Sequence, residues 1–291
     1  MGVWGAGLHA GDVARDLKGL IAAVARLPLG ADDLLGLLVE RYRATAEDPD
    51  DEDHTVFWLV VADGLGRLGI DCPMARERAL AIIDSGRDLA MCEAIEMDKA
   101  TLRKRAAMLA ALRETLARGP APGAKRRVLT APQPFIMEMG EAFAFPTCRG
   151  QGINAHFPSP EADPTWRDQD GWGAGLVCER GHAFGHLAWY RLCVLGRVFA
   201  DEPTLDDVRG GFFGCGLSAG TCTKRQFERM RLKRIGTLPV RAGAILDLVP
   251  ELLTEVRSGE EAAILDVCIT SNLRARTDGF RETPVADVLA G

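Results

Sequence analysis

Residues 119–127 read Gly-Pro-Ala-Pro-Gly-Ala-Lys-Arg-Arg, and the hydrophobic pattern of the chain differs on the two sides of that run. Before it, apolar residues recur every three or four positions, as in helices that bury one face. After it, apolar runs are short, alternate or are continuous, and are bounded by Gly and Pro, as in strands. Proline cannot extend a helix or donate in a sheet, and glycine loses the most chain entropy in either, so the run separates two bodies. The sequence thus predicts an α+β protein. Residues 1–118 form an all-helical domain, residues 119–130 a solvated linker, and residues 131–291 a mostly antiparallel β-rich domain, sheet or barrel-like, with a few helices. A chain of 291 residues is long enough to build a core in each part.

In the first part, Val13, Leu17, Leu20, Ile21 and Val24 make one stripe of a helix over residues 12–27, stopped by Pro28 and Gly30. Leu34, Leu38 and Tyr42 carry a second over residues 32–45. Residues 47–53 hold six carboxylates in seven positions, without the glycine and terminal glutamate of an EF-hand, and read as a solvated acidic loop. Residues 54–63 are apolar nearly all round, which predicts a central buried helix ending near Gly64 or Gly69. Pro73 opens the next helix, which runs to the turn Asp84-Ser85-Gly86. A last one over residues 98–118 puts Leu102, Leu109, Leu112 and Leu116 on one face and its arginines and lysines elsewhere. The opening Gly2-Val3-Trp4-Gly5-Ala6-Gly7 suits neither helix nor strand and predicts a close-packed turn that buries Trp4.

In the second part, strands are expected at residues 141–145, 173–178, 189–195 and 212–217. Thr204 is placed to cap a short helix over residues 203–208, and Ile245, Leu248, Val249, Leu252 and Val256 mark a late helix that Pro250 kinks.

Net charge of -6 and a pI near 5.5 argue against a broad phosphate-binding surface, so nucleic acid is a poor partner. The apolar stretches fall short of the roughly 20 residues that span a bilayer, and no export signal opens the chain, so a cytoplasmic protein without a membrane partner is expected. Eight cysteines are scattered with no CxxC pair, which predicts reduced, mostly buried thiols. Ala6 stands where a myristoylation motif needs a hydroxyl residue. No P-loop, strand-linked GxGxxG or GxSxG is present.

Four constellations carry chemistry. Cys178, His182 and His186 are spaced by four, so a thiolate and two imidazoles share a face of a regular strand or helix and would suit zinc, with Cys193 or His156 as a fourth ligand. The competing reading is a packed cysteine and two histidines satisfied by hydrogen bonds, because Gly181 and Gly185 favour turns. Cys215 and Cys222 border a glycine-rich stretch that is either a thiol nucleophile loop or a strand end and turn. Lys224, Arg225, Arg229, Arg231, Lys233 and Arg234, interleaved with Phe227, Met230 and Leu232, form either a solvated face or a surface that steers an acidic protein partner. Trp166 and Trp172 lie in or beside a polar, irregular stretch and read as exposed binding anchors. The expected binding residues are therefore Trp166, Trp172, Arg225, Phe227 and Arg229.

Met1 to Gly7, Phe57-Trp58-Leu59-Val60-Val61-Ala62-Asp63 and Ala79-Leu80-Ala81-Ile82-Ile83-Asp84-Ser85-Gly86 resemble the M-G-x-W-G-x-G, F-W-x-x-x-A-D and A-x-x-I-I-D-S-G motifs of an uncharacterised bacterial domain family, over about residues 1–118. Gly140-Glu141-Ala142-Phe143-Ala144-Phe145-Pro146, Asp201-Glu202-Pro203-Thr204-Leu205 and Ile235-Gly236-Thr237-Leu238-Pro239-Val240 are similar to motifs of the immunity protein twenty-six family of bacterial polymorphic toxin systems. The likeness departs at Glu141, in the insertion over residues 150–171 and in the tail after Arg241. It implies a β-rich domain and a cytoplasmic protein-binding module, an immunity or self-protection protein that neutralises a toxin or other partner by occlusion, with no cofactor. The alternative is an enzyme, metal-dependent through Cys178, His182 and His186 or thiol-dependent through Cys215 or Cys222.

Overall fold

A computed structural model describes residues 5–120, 126–153, 166–214, 218–245, 261, 263, 273–275 and 283–290. Trp4, His156, Cys215 and residues 246–256 of the late helix lie outside the described residues, as does the side chain of Trp166. The protein is α+β, helices first and antiparallel strands after. It divides into two units, Met1–Thr130 and Ala131–Gly291.

The first unit is built around α4, His54–Arg67, with α1 (Asp12–Val24), α3 (Arg43–Glu47), α5 (Pro73–Asp84), α6 (Arg87–Ala94) and α7 (Lys99–Arg118) packed on it and α2 (Ala31–Arg41) beside α1. Every residue of α4 from His54 to Asp63 is buried, as its unbroken apolar run requires. The helix does not stop at Gly64. A Cβ there would lie 2.9 Å from Ile21 Cδ1, so this glycine lets α1 approach closely, and the helix ends instead before Gly69, whose φ is 72°.

Two expectations for this unit are corrected, and one helix is added. The helix over residues 32–45 is broken at Tyr42, where φ is -118° and ψ 38°, into α2 and α3. Helix α6 follows α5 after a left-handed Gly86 (φ 71°) and was not foreseen, because only Asp88 and Cys92 of its eight residues are buried and no apolar stripe marks it. Arg105 of α7 faces inward, 2% exposed, although the helix was expected to send its arginines outward. The end of the expected linker is tied down. Arg126 donates from Nε to Ala25 O (2.6 Å) and from Nη1 to Leu29 O (2.8 Å), and Leu129 N donates to Arg26 O (2.8 Å), so these residues close the C-terminal end of α1.

In the second unit, β1 (Glu141–Cys148), β2 (Gln151–Gly152), β3 (Gly171–Ala183), β4 (Leu187–Val194), β6 (Ser218–Gly220) and β7 (Lys233–Thr237) form one antiparallel sheet in the order β2-β1-β3-β4-β6, with β7 also paired to β1. A separate pair joins β5 (Phe212–Phe213) to β8 (Thr283–Pro284). Both faces of the sheet are buried, which is why its strands read as near-continuous apolar runs. Phe143, Phe145, Val177, Tyr190 and Leu192 point to one face, covered by Met137, Met230, Leu232 and Phe227 of α9 (Lys224–Arg229). Ala142, Leu176, Cys178 and Cys193 point to the other, covered by Phe199, Val208 of α8 (Leu205–Arg209), Leu238 and Val285. Glycines in β3 serve this packing. Phe143 and Phe145 stand opposite Gly175 and Gly173, and Cβ atoms added there would come within 2.5 Å and 2.3 Å of the rings. Of the stretch expected as a strand over residues 212–217, only the two residues of β5 are in strand, and residues 215–217 lie outside the described residues.

Candidate binding surface and pocket

Thr223 opens α9 with a reciprocal capping box: its Oγ1 accepts from Gln226 N (3.2 Å) and Gln226 Oε1 accepts from Thr223 N (2.6 Å). Phe227 then anchors the helix from inside, 6% exposed and with the Arg234 guanidinium 4.4 Å from its ring centre. Phe227 is thus a core residue, and the expectation that it binds a partner is corrected: a helix this short has one inner face, and Phe227 occupies it. Arg225 and Arg229, one turn apart, are exposed, and neither has an ion pair among the described residues. Much of the remaining basic run is engaged within the chain. Lys224 meets Glu228, Lys233 meets Glu202, and Arg234 Nε meets Glu141 Oε1 at 2.5 Å.

Trp172 is also placed differently from the expectation. It belongs to β3, exchanges backbone hydrogen bonds with Phe199 (both 2.8 Å), packs half-buried on the sheet and has Lys233 Nζ 4.7 Å from its ring centre. A ring packed on the sheet and paired with a neighbouring cation in this way is part of the frame. Trp166 opens a single 3-10 turn, Trp166–Asp168.

The structure does not bring Cys178, His182 and His186 together. A β-bulge lies between Val177 and Glu179: Val177 pairs with Leu192 and Glu179 with Arg191, leaving Cys178 as the extra residue. One extra residue reverses the alternation of side chains, so Cys178 points to one face and His182 to the other. His182 Nε2 is 2.7 Å from Gln133 O with its ring 4.3 Å from Phe135, and His186 Nδ1 is 3.0 Å from Phe184 O in the β3–β4 turn. Among the described residues, no group of three or more Cys, His, Asp or Glu is arranged to hold a metal. Cys178 instead neighbours Cys193, whose thiol is held well above its usual pKa, first by burial and then by Cys178. Cys222 is buried, its Sγ 3.6 Å from Thr223 O.

Three segments far apart in sequence meet around β1. Residues 140–146 hold the first six residues of β1; β7 pairs with it through Glu141 to Thr237 and Ala142 to Gly236; and Leu205 packs so closely on Gly236 that a Cβ there would lie 2.8 Å from Leu205 Cδ2. Glu202 pairs with Lys233, and Glu141 is 6% exposed beneath Arg234. These three segments form a packed frame.

The helical unit holds a cavity of about 410 Å³ between the last turns of α4 and α7 and the start of α5. Leu65, Ile70, Cys72 and Leu116 supply apolar wall, Asp63 is the buried acid, and Gly66 leaves the wall open, with nothing within 4 Å of where its Cβ would be. Sequence reasoning passed over Asp63, although a carboxylate closing an all-apolar helical run was a visible signal. Compared with protein-family models, curated proteins and solved structures, the chain matches none.

Proposed function

We propose that the chain is a cytoplasmic protein-binding module of the immunity or self-protection kind, which docks on a partner protein and occludes its active surface. The observation that carries this reading is α9: a helix capped by Thr223, anchored inward by Phe227, and presenting Arg225 and Arg229 outward one turn apart. Arginine is favoured at interface centres, and its planar fork meets carboxylates bidentately. Rigid placement of two such groups lowers the ordering cost of binding. The chain as a whole is acidic, so this patch is a local exception that orients an encounter with an acidic protein surface. It is too small for a nucleic acid, since Lys224, Lys233 and Arg234 are engaged in internal ion pairs. The likeness of the β1, α8 and β7 segments to the immunity family supports the same reading. Among the described residues no helix is long and apolar enough to cross a membrane.

The test is direct association of the purified chain with the proteins encoded by the genes flanking its own. A complex is expected whose association slows with salt and whose affinity falls at least about tenfold in the Arg225→Glu, Arg229→Glu double variant. Absence of any complex, or an affinity indifferent to the charge reversal, overturns the reading.

A further inference from the structure

The cavity of the helical unit combines three features that together define a ligand chemistry. Its wall is apolar at Leu65, Ile70, Cys72 and Leu116. The last turns of α4 and α7 and the first turn of α5 line it, so the negative ends of two helix dipoles and the positive end of one lie at its wall. Asp63, 4% exposed, is among its lining residues, and Arg67 lies against its carboxylate. Arg67 Nε lies 2.9 Å from Oδ1 and 2.8 Å from Oδ2, but its hydrogen is directed to Oδ1 alone. His9 Nε2 stands 3.8 Å from Oδ2, beyond hydrogen-bond reach. Oδ2 is thus held by the Arg67 ion pair without a directed hydrogen bond of its own among the described residues.

The arginines around the cavity do not make it an anion site. Arg67 is 72% exposed and lies over Asp63, Arg76 is paired with Asp71, and Arg118 Nε donates to Glu114 O of its own helix at 3.1 Å. Arg67 has the freedom to swing out, because most of its side chain is in water, and its departure opens the carboxylate. We infer that this cavity binds a small organic amine with an apolar body, whose ammonium group donates to Asp63 while its hydrocarbon part rests on Leu65, Ile70 and Leu116. The volume, about 410 Å³, lies within the range of roughly 300–1,000 Å³ typical of small-molecule pockets. Nothing in this inference depends on α9 or on the proposed protein partner.

Calorimetric titration of the full chain with 2-phenylethylamine, ethylbenzene and 3-phenylpropionate tests it, because the three share a ring and differ in charge. The amine is expected to bind most tightly and the carboxylate least. Asp63→Asn removes the charge and is expected to weaken the amine about tenfold to a hundredfold. Arg67→Ala removes the competing cation and is expected to strengthen it. Gly66→Leu fills the cavity from a helical position with open space in front of it, so the variant folds with an unreduced Tm and loses amine binding. Tighter binding of the carboxylate than the amine, weaker amine binding in Arg67→Ala, or unchanged amine binding in Gly66→Leu each overturns the inference.

Discussion

Arg105 Nε and Nη2 donate in parallel to the two oxygens of Asp88, each at 2.8 Å, and both side chains are at most 2% exposed. The pair is supported from either side. Thr55 Oγ1 donates to Asp88 Oδ2 at 3.1 Å, and Arg105 Nη1 donates to Gly7 O at 3.0 Å. One buried ion pair thereby joins α4, α6 and α7 to the glycine-rich opening of the chain. Desolvation disfavours its charged forms, and the bidentate geometry with the added hydrogen bonds to Thr55 and Gly7 offsets that penalty.

Removing one partner of this pair strands the other. Arg105→Met is expected to destabilise the helical unit by about 3–5 kcal/mol, because Asp88 is left charged or unsatisfied in an apolar setting. Replacing both, Asp88→Leu with Arg105→Met, is expected to recover a large part of that loss. Urea unfolding followed by the helical circular-dichroism signal decides it; a single variant within about 1 kcal/mol of the parent contradicts the role assigned to the pair.

The glycines of β3 are a second point of sensitivity. Gly175→Ala puts a methyl group where the Phe143 ring lies, with backbone on one side and a filled core on the other, and is expected to cost about 1–3 kcal/mol. Gly66→Ala, in open space on a helix, is the matched control and is expected to be neutral or stabilising. Thermal unfolding of the two variants side by side should show a loss in Gly175→Ala and none in Gly66→Ala, and equal losses would count against the packing argument.

Asp98 caps α7, accepting from Ala100 N at 2.9 Å and Thr101 N at 3.1 Å. Hydrogen bonds from the Thr101 side chain and then its backbone hold this carboxyl below the usual carboxylate pKa. A folded pKa below the unfolded one means that the contribution is complete above the unfolded value of about 3.9 and is lost as pH falls through the lower folded value. Asp98→Ala is therefore expected to lower Tm by a constant amount near neutrality, with the gap closing in more acidic solution. A gap that widens on acidification would show that the cap does not act through its ionised form.

Much of the helical half was legible because its signals are local. Pro73 at the first position of α5, Gly69 after α4 and Asp98 before α7 act through their own backbone geometry, and the apolar stripes of α1 and α4 need only one face to be buried. The strands β1, β3 and β4 were legible for a related reason, since a sheet covered on both faces needs uninterrupted apolar runs. Helix α6 escaped notice because two of its few inward residues are Asp88 and Cys92, and the acid is tolerated there only by Arg105, seventeen residues away.

The candidate site was less legible. Arg225 and Arg229 were read as exposed cations and are so, but Phe227 between them and Trp172 nearby were read as anchors and are part of the packed frame. Residue type alone does not separate an aromatic that waits for a partner from one that has already found its partner in the fold.

The sequence by itself determined where helices give way to strands, because periodicity and chain breakers act over a few neighbouring residues and report which face each element must bury. Only the tertiary structure decided which way individual side chains point. The bulge at Cys178 parts it from His182, and the burial of Arg105 depends on Asp88. Such outcomes rest on pairing register and on contacts between distant residues, whose energies exceed any local preference.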